Sequence, residues 1–130
     1  MKWCRVFAVV LAACLAGCFP MHFNACPGAD GRVVDSVTAA PIPDATVTLT
    51  MRGRGRDRIV KSTTTDAGGR FKFLPEKSWG VYIIPMDFVP LLADIDASAS
   101  GYRHAVCQAR AFPDGPGTVD CGDIRLDKQP

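Results

Sequence analysis

The sequence is short of the residues that most enzyme and nucleic-acid chemistry needs. Only two histidines occur, His22 and His104, and no Cys-x-x-Cys or His-x-x-x-His spacing accompanies them, which argues against a zinc site. No Gly-x-Ser-x-Gly elbow is present to set up a nucleophilic serine. Charge of one sign is also scarce. Fifteen Lys and Arg against 13 Asp and Glu leave +2, and without Lys2 and Arg5 the remainder balances at zero. Such a chain lacks the basic field of a nucleic-acid binder. Long apolar runs are missing as well. The longest uncharged apolar stretch near the start, 6–16 (VFAVVLAACLA), has 11 residues, too few to cross a hydrocarbon layer of about 30 Å as a helix. Beyond residue 17 no ten-residue stretch has helical periodicity.

What is present at the N-terminus is an address. Met1–Arg5 (MKWCR) is a short basic segment, 6–16 is an export-type apolar region, and Leu15-Ala16-Gly17-Cys18 closes it. This arrangement resembles the bacterial lipobox. The resemblance implies a signal peptide over 1–17, lipidation of Cys18, and a mature chain that starts there. Several acyl chains on one residue exceed what stable anchoring requires, at about 0.8 kcal/mol per buried methylene. In Gram-negative lipoproteins Asp after the modified Cys favours the inner membrane. Phe19 stands here, so the resemblance implies a lipid-anchored protein of the cell envelope at the outer membrane.

The next stretch, 18–29, is expected to be a lipidated tether, because Pro20, Pro27 and Gly28 oppose regular structure. From residue 30 to 127 the pattern is short alternating runs broken by Gly, Pro and Asp. Ala45–Met51 (ATVTLTM) alternates apolar with Thr, and Leu91–Ser98 (LLADIDAS) alternates again, as expected for strands with one buried and one wet face. With 31–37, 58–65, 70–74, 102–111 and 118–126 these make about seven strands and predict an antiparallel β-sandwich. His104 is placed by this reading in the strand 102–111, on a sheet face near Tyr102.

Gly31-Arg32-Val33-Val34-Asp35, Pro41-Ile42-Pro43-Asp44-Ala45-Thr46-Val47, Thr64-Thr65-Asp66-Ala67-Gly68-Gly69-Arg70-Phe71 and Ser98-Ala99-Ser100-Gly101-Tyr102 follow one another in the order of a known module. Together they resemble the carboxypeptidase regulatory-like domain across residues 30–127. The resemblance implies a seven-stranded transthyretin-like sandwich with no catalytic residues, no metal and no cofactor. Two other transthyretin-like families are enzymes. Intradiol dioxygenases hold iron with two Tyr and two His, and Tyr82, Tyr102, His22 and His104 match only the count. Hydroxyisourate hydrolases end in Tyr-Arg-Gly-Ser, whereas this chain ends in Asp127-Lys128-Gln129-Pro130.

Three features are left over. The segment 74–90 (LPEKSWGVYIIPMDFVP) replaces the short connection usual in the family and is unusually apolar for a loop. It is expected either to cap an open end of the sandwich or to present Trp79, Tyr82, Ile84 and Phe88 to a partner or to the membrane, with Trp79 and Phe88 as the anchors. The 52–58 segment (RGRGRDR) carries Arg52, Arg54, Arg56 and Arg58. It reads as a solvated hairpin tip or as a patch for anionic lipid or an acidic partner. Cys26, Cys107 and Cys121 are disulfide candidates in an exported chain. Cys107 with Cys121 would bridge the last two strands, and Cys26 with either would fasten the tether. Asp94 and Asp96, at i and i+2, read as a solvated sheet face rather than a calcium site. The functional expectation is therefore a lipid-anchored, non-enzymatic envelope module that binds a protein or envelope component. The alternatives are a small transthyretin-like enzyme and a carbohydrate-binding module, since a fold does not fix a function.

Overall fold

The computed structural model describes residues 6, 18–52, 57–83, 91–111 and 117–130. Their elements are nine strands: β1 (Cys18–Cys26), β2 (Gly28–Asp35), β3 (Thr46–Arg52), β4 (Asp57–Thr64), β5 (Arg70–Phe73), β6 (Glu76–Ile83), β7 (Leu91–Ser98), β8 (Ala105–Ala111) and β9 (Thr118–Leu126). Seven of them form the sandwich. One sheet has the order β4-β3-β7-β8 and is antiparallel throughout; the other has the order β5-β2-β9. In the smaller sheet β2 runs antiparallel to β5 but parallel to β9.

Alternation dictates which side of each sheet is buried. In β3, Val47 and Leu49 are fully buried while Thr46 is exposed; in β7, Ala93, Ile95 and Ala97 are buried between Leu92 and Ser98, which are exposed. The register sets large against small, with Val47 opposite Ala97 and Met51 opposite Ala93, and Leu49 opposite Ile95 between them. The facing sheet supplies Val33, Phe71, Phe73, Ile124 and Leu126 to the same core. The rings of Phe71 and Phe73 sit 5.9 Å apart and tilted by 56°, a geometry aromatic pairs favour.

Polar side chains fix the turns between these strands. The Asp35 carboxylate, nearly inaccessible to solvent, accepts the Val37 and Thr38 amides at 2.9 Å each and the Tyr102 hydroxyl at 3.1 Å. Lys128 lies 3.6 Å away. These donors, the Thr38 amide foremost, hold the Asp35 carboxyl far below the ordinary carboxylate range against the opposing effect of its burial. Buried Thr65 donates to the Ile42 carbonyl at 2.7 Å and accepts the Ala45 amide at 2.9 Å, locking the Pro-rich turn before β3. Between β4 and β5, Asp66 accepts the Gly68 and Arg70 amides, and Gly69 takes a φ of 71° that side-chain-bearing residues resist.

The structure departs from the sequence expectations in four places. Residues 18–26 are a strand, not an irregular tether, and 76–83 within the apolar insertion is its partner, so there are nine strands rather than seven. Pro20 is tolerated because a two-stranded ribbon leaves every second amide facing outward, where no ladder bond is lost. β8 starts at Ala105, which leaves His104 exposed in the preceding connection instead of in a strand. The last two strands do not form a hairpin. β8 belongs to the four-stranded sheet and β9 to the three-stranded one, and β9 joins β2 in parallel.

Candidate functional site: a ribbon projecting from the sandwich

β1 and β6 pair only with each other, antiparallel, from Cys18 opposite Ile83 to Cys26 opposite Glu76. They prolong a pair already present in the sandwich. β2 and β5 are matched at Ala29 opposite Phe73, and both strands leave the sheet there, through Pro27 on one side and Leu74-Pro75 on the other. The root of the ribbon is firmly held. Cys26 and Pro27 are buried, and the Gly28 amide donates to the Gly117 carbonyl at 2.6 Å. Farther out, Trp79 is 66% exposed, and its ring centroid lies 4.0 Å from that of His22, the residue opposite it, at a tilt of 56°.

Of the residues singled out in the sequence, the ribbon collects Cys18, Trp79 and Tyr82. Cys18 occupies its far end and Tyr82 stands opposite Phe19. Ile84 and Phe88 lie outside the described residues, as do Arg54 and Arg56. Arg52 ends β3, and its guanidinium donates to Asp94 at 2.6 Å, so that charge is engaged within the domain. Arg58 stands in β4 opposite Met51. Arg52 and Arg58 thus belong to the β3–β4 pair and not to the ribbon.

Cys107 and Cys121 carry no disulfide in the structure. Cys26 is buried at the ribbon root. Cys107 in β8 and Cys121 in β9 are half-buried against the core and near enough to influence each other electrostatically. Burial, then the neighbouring Cys107 and the carboxylates of Asp120 and Asp30, pushes the Cys121 thiol up to about 12, which keeps it protonated at neutral pH.

Sequence reasoning missed one charged surface. An open depression of about 880 Å³ crosses the smaller sheet, with Asp30, Arg32, Arg70, Lys72, Asp120 and Asp123 among its lining. Strand register assembles it, setting Asp30 between Lys72 and Asp120, and Arg32 between Arg70 and Asp123. Arg32 grips Asp123 through two bonds of 3.1 Å, which raises the arginine pKa and lowers that of the aspartate. No sequence signal reveals this set, because its members lie about 40 to 90 residues apart and meet only through the antiparallel β2–β5 and parallel β2–β9 pairings. The depression is lined by three basic and four acidic side chains, of which Arg32 and Asp123 form an ion pair, and Trp79 does not border it. Among the described residues no group of three or more His, Cys, Asp or Glu could hold a metal ion. Tyr102 is hydrogen-bonded to Asp35, and His22 stacks on Trp79.

Comparison with known proteins gives three findings. The model of the carboxypeptidase regulatory-like domain matches residues 29–120. No curated protein matches the chain. Among solved structures, 3-chlorocatechol 1,2-dioxygenase from Rhodococcus opacus 1CP aligns with a TM-score of 0.48 and 14% identity, over 78% of this chain and 60% of that one. The chain thus spans well under two thirds of that structure's length.

Proposed function

The chain belongs to the carboxypeptidase regulatory-like domain family, and from that premise we propose that it is a lipid-anchored, non-enzymatic module of the cell envelope. In this reading Cys18 carries the lipid, the sandwich is a rigid body, and exposed side chains near the anchor engage a protein or another envelope component. The observation that carries it is the ribbon: residues Cys18 and Trp79, noted for different reasons in the sequence, lie on one projecting element. Exposed aromatic residues at the centre of a small surface are the usual anchors of protein contacts. The balanced charges of the mature chain leave that contact to shape and apolar area rather than to a long-range field.

The test is expression of the full chain in a Gram-negative host, followed by fractionation, intact mass measurement and cross-linking in membranes. The reading expects outer-membrane recovery, a mass increase from acylation confined to Cys18 and abolished by Cys18→Ser, and a cross-linked species lost with Trp79→Ser. Recovery of an unacylated soluble protein from the wild-type gene refutes the anchor. An acylated protein whose cross-links are unchanged by Trp79→Ser refutes the contact surface.

A further inference from the structure

The register of the ribbon contains a gradient. From its far end the opposed pairs are Cys18 and Ile83, Phe19 and Tyr82, Pro20 and Val81, Met21 and Gly80, His22 and Trp79, and Phe23 and Ser78. None of these twelve residues is Asp, Glu, Lys or Arg. Charge first appears next to the sandwich, at Lys77 opposite Asn24 and Glu76 opposite Cys26. Six uncharged rows at about 3.3 Å each extend roughly 20 Å. In a water-facing ribbon no core is served by such a composition. The apolar end is also the end that carries Cys18, directly after the apolar segment 6–16.

Because successive rows alternate between faces, Cys18, Ile83, Pro20, Val81, His22 and Trp79 share one face. A two-stranded ribbon cannot stand upright in hydrocarbon, since both of its edges carry unpaired amides and carbonyls. It can lie in the headgroup layer, where those edges find water and phosphate while one face reaches the acyl boundary. Tryptophan prefers this depth, having an apolar ring with one polar N–H. We propose that the Cys18 face of the β1–β6 ribbon lies flat on the lipid bilayer, with Trp79 at headgroup level, so that the domain is docked on the membrane in a fixed orientation instead of swinging on a tether. The occupant of this face is the bilayer surface itself. The proposal rests on the lipid-anchor reading above, since acyl chains on Cys18 would bring that face to the membrane, and it names the envelope component met by Trp79 as the bilayer, so that the cross-linked species lost with Trp79→Ser is expected to be a lipid adduct and not a protein one.

The experiment uses a natural probe. Trp79 is the sole tryptophan after Trp3, and so the only one in a chain starting at Cys18. The lipidated protein is reconstituted into vesicles of phosphatidylethanolamine and phosphatidylglycerol, and Trp79 emission is measured with aqueous iodide and with lipids brominated on their acyl chains. The Cys18→Ser protein, free in solution, gives the exposed reference. Expected are a blue shift, quenching by brominated lipid, and iodide quenching reduced severalfold from the reference. A Val81→Asp, Ile83→Asp variant, acylated and with unchanged melting temperature, is expected to return iodide quenching to the reference value. Equal iodide access in the acylated vesicle-bound wild type and the free reference overturns the inference while leaving the anchor standing. If intact mass shows no acyl group, the anchor reading has failed, and vesicles are added to the unacylated protein: a blue shift sustains the ribbon contact and its absence overturns it.

Discussion

The turn between β4 and β5 is where one residue's lack of a side chain has the largest structural leverage. A Cβ added to Gly69 would meet the Val33 carbonyl oxygen at 2.5 Å and the Pro41 Cβ at 3.1 Å, at a φ of +71°. That same backbone is bonded to β2, since the Val33 amide donates to the Gly69 carbonyl at 2.7 Å. Gly101 has a similar φ of +81° but open space around it. Substitution by Ala therefore separates strain from collision. At Gly101 a left-handed penalty of about 1–2 kcal/mol is partly offset by about 0.4–1 kcal/mol from a stiffer unfolded chain, leaving a loss of about 1 kcal/mol. At Gly69 the collision is with backbone and cannot be relieved by a rotamer, so an overpacking cost of about 1–3 kcal/mol is added. The sum is a loss of about 3 kcal/mol, or roughly 10–20 °C in melting temperature for a domain of this size, against a few degrees for Gly101→Ala. Calorimetry on both variants is the assay. A Gly69→Ala protein melting within two or three degrees of Gly101→Ala would refute the packing described for this turn.

Three further outcomes are expected. Leu49→Ala, at a fully buried position opposite Ile95, should cost about 3 kcal/mol in urea unfolding without a change in slope, and a loss below 1 kcal/mol would place Leu49 outside the core. Because the folded Asp35 carboxyl has a depressed pKa, its stabilisation is complete above the ordinary carboxylate range and declines as pH falls below it. Asp35→Asn should thus lower the melting temperature at neutral pH, and the gap to wild type should narrow on strong acidification; a gap that widens there contradicts the assigned bonding. Mild oxidation should join Cys107 to Cys121 and raise stability by about 3 kcal/mol for so short a loop. Peptide mapping that finds a Cys26 bridge instead would contradict the observed adjacency.

The sandwich was legible wherever one face of a strand is wet and the other dry. β3 and β7 alternate cleanly because Val47, Leu49, Ala93, Ile95 and Ala97 enter the core while threonines and aspartates stay outside. The ribbon was not legible because CFPMHF and WGVYI show no period of two, and the positions that pair across it lie about 50 to 65 residues apart in the chain. The prolines there, which argue against a central strand, are compatible with a two-stranded one. The position of Cys107 relative to Cys121 was half-legible. Their proximity was expected from two neighbouring strands, but the bridge they could form would join the two sheets, because β9 turns away to pair with β2. The charged depression had no local signature, since its pairs are about 40 or 90 residues apart in the chain.

That parallel pairing also bears on timing. β2 lies between β5 and β9, and its second edge is completed only by residues 118–126, about 90 positions later in synthesis. Ile124 and Leu126, both core residues, arrive with that last strand. Contacts of such separation close late and slowly. The emerging polypeptide therefore lacks the partner for the second edge of β2, and two of its core side chains, until residues 118–126 have been made.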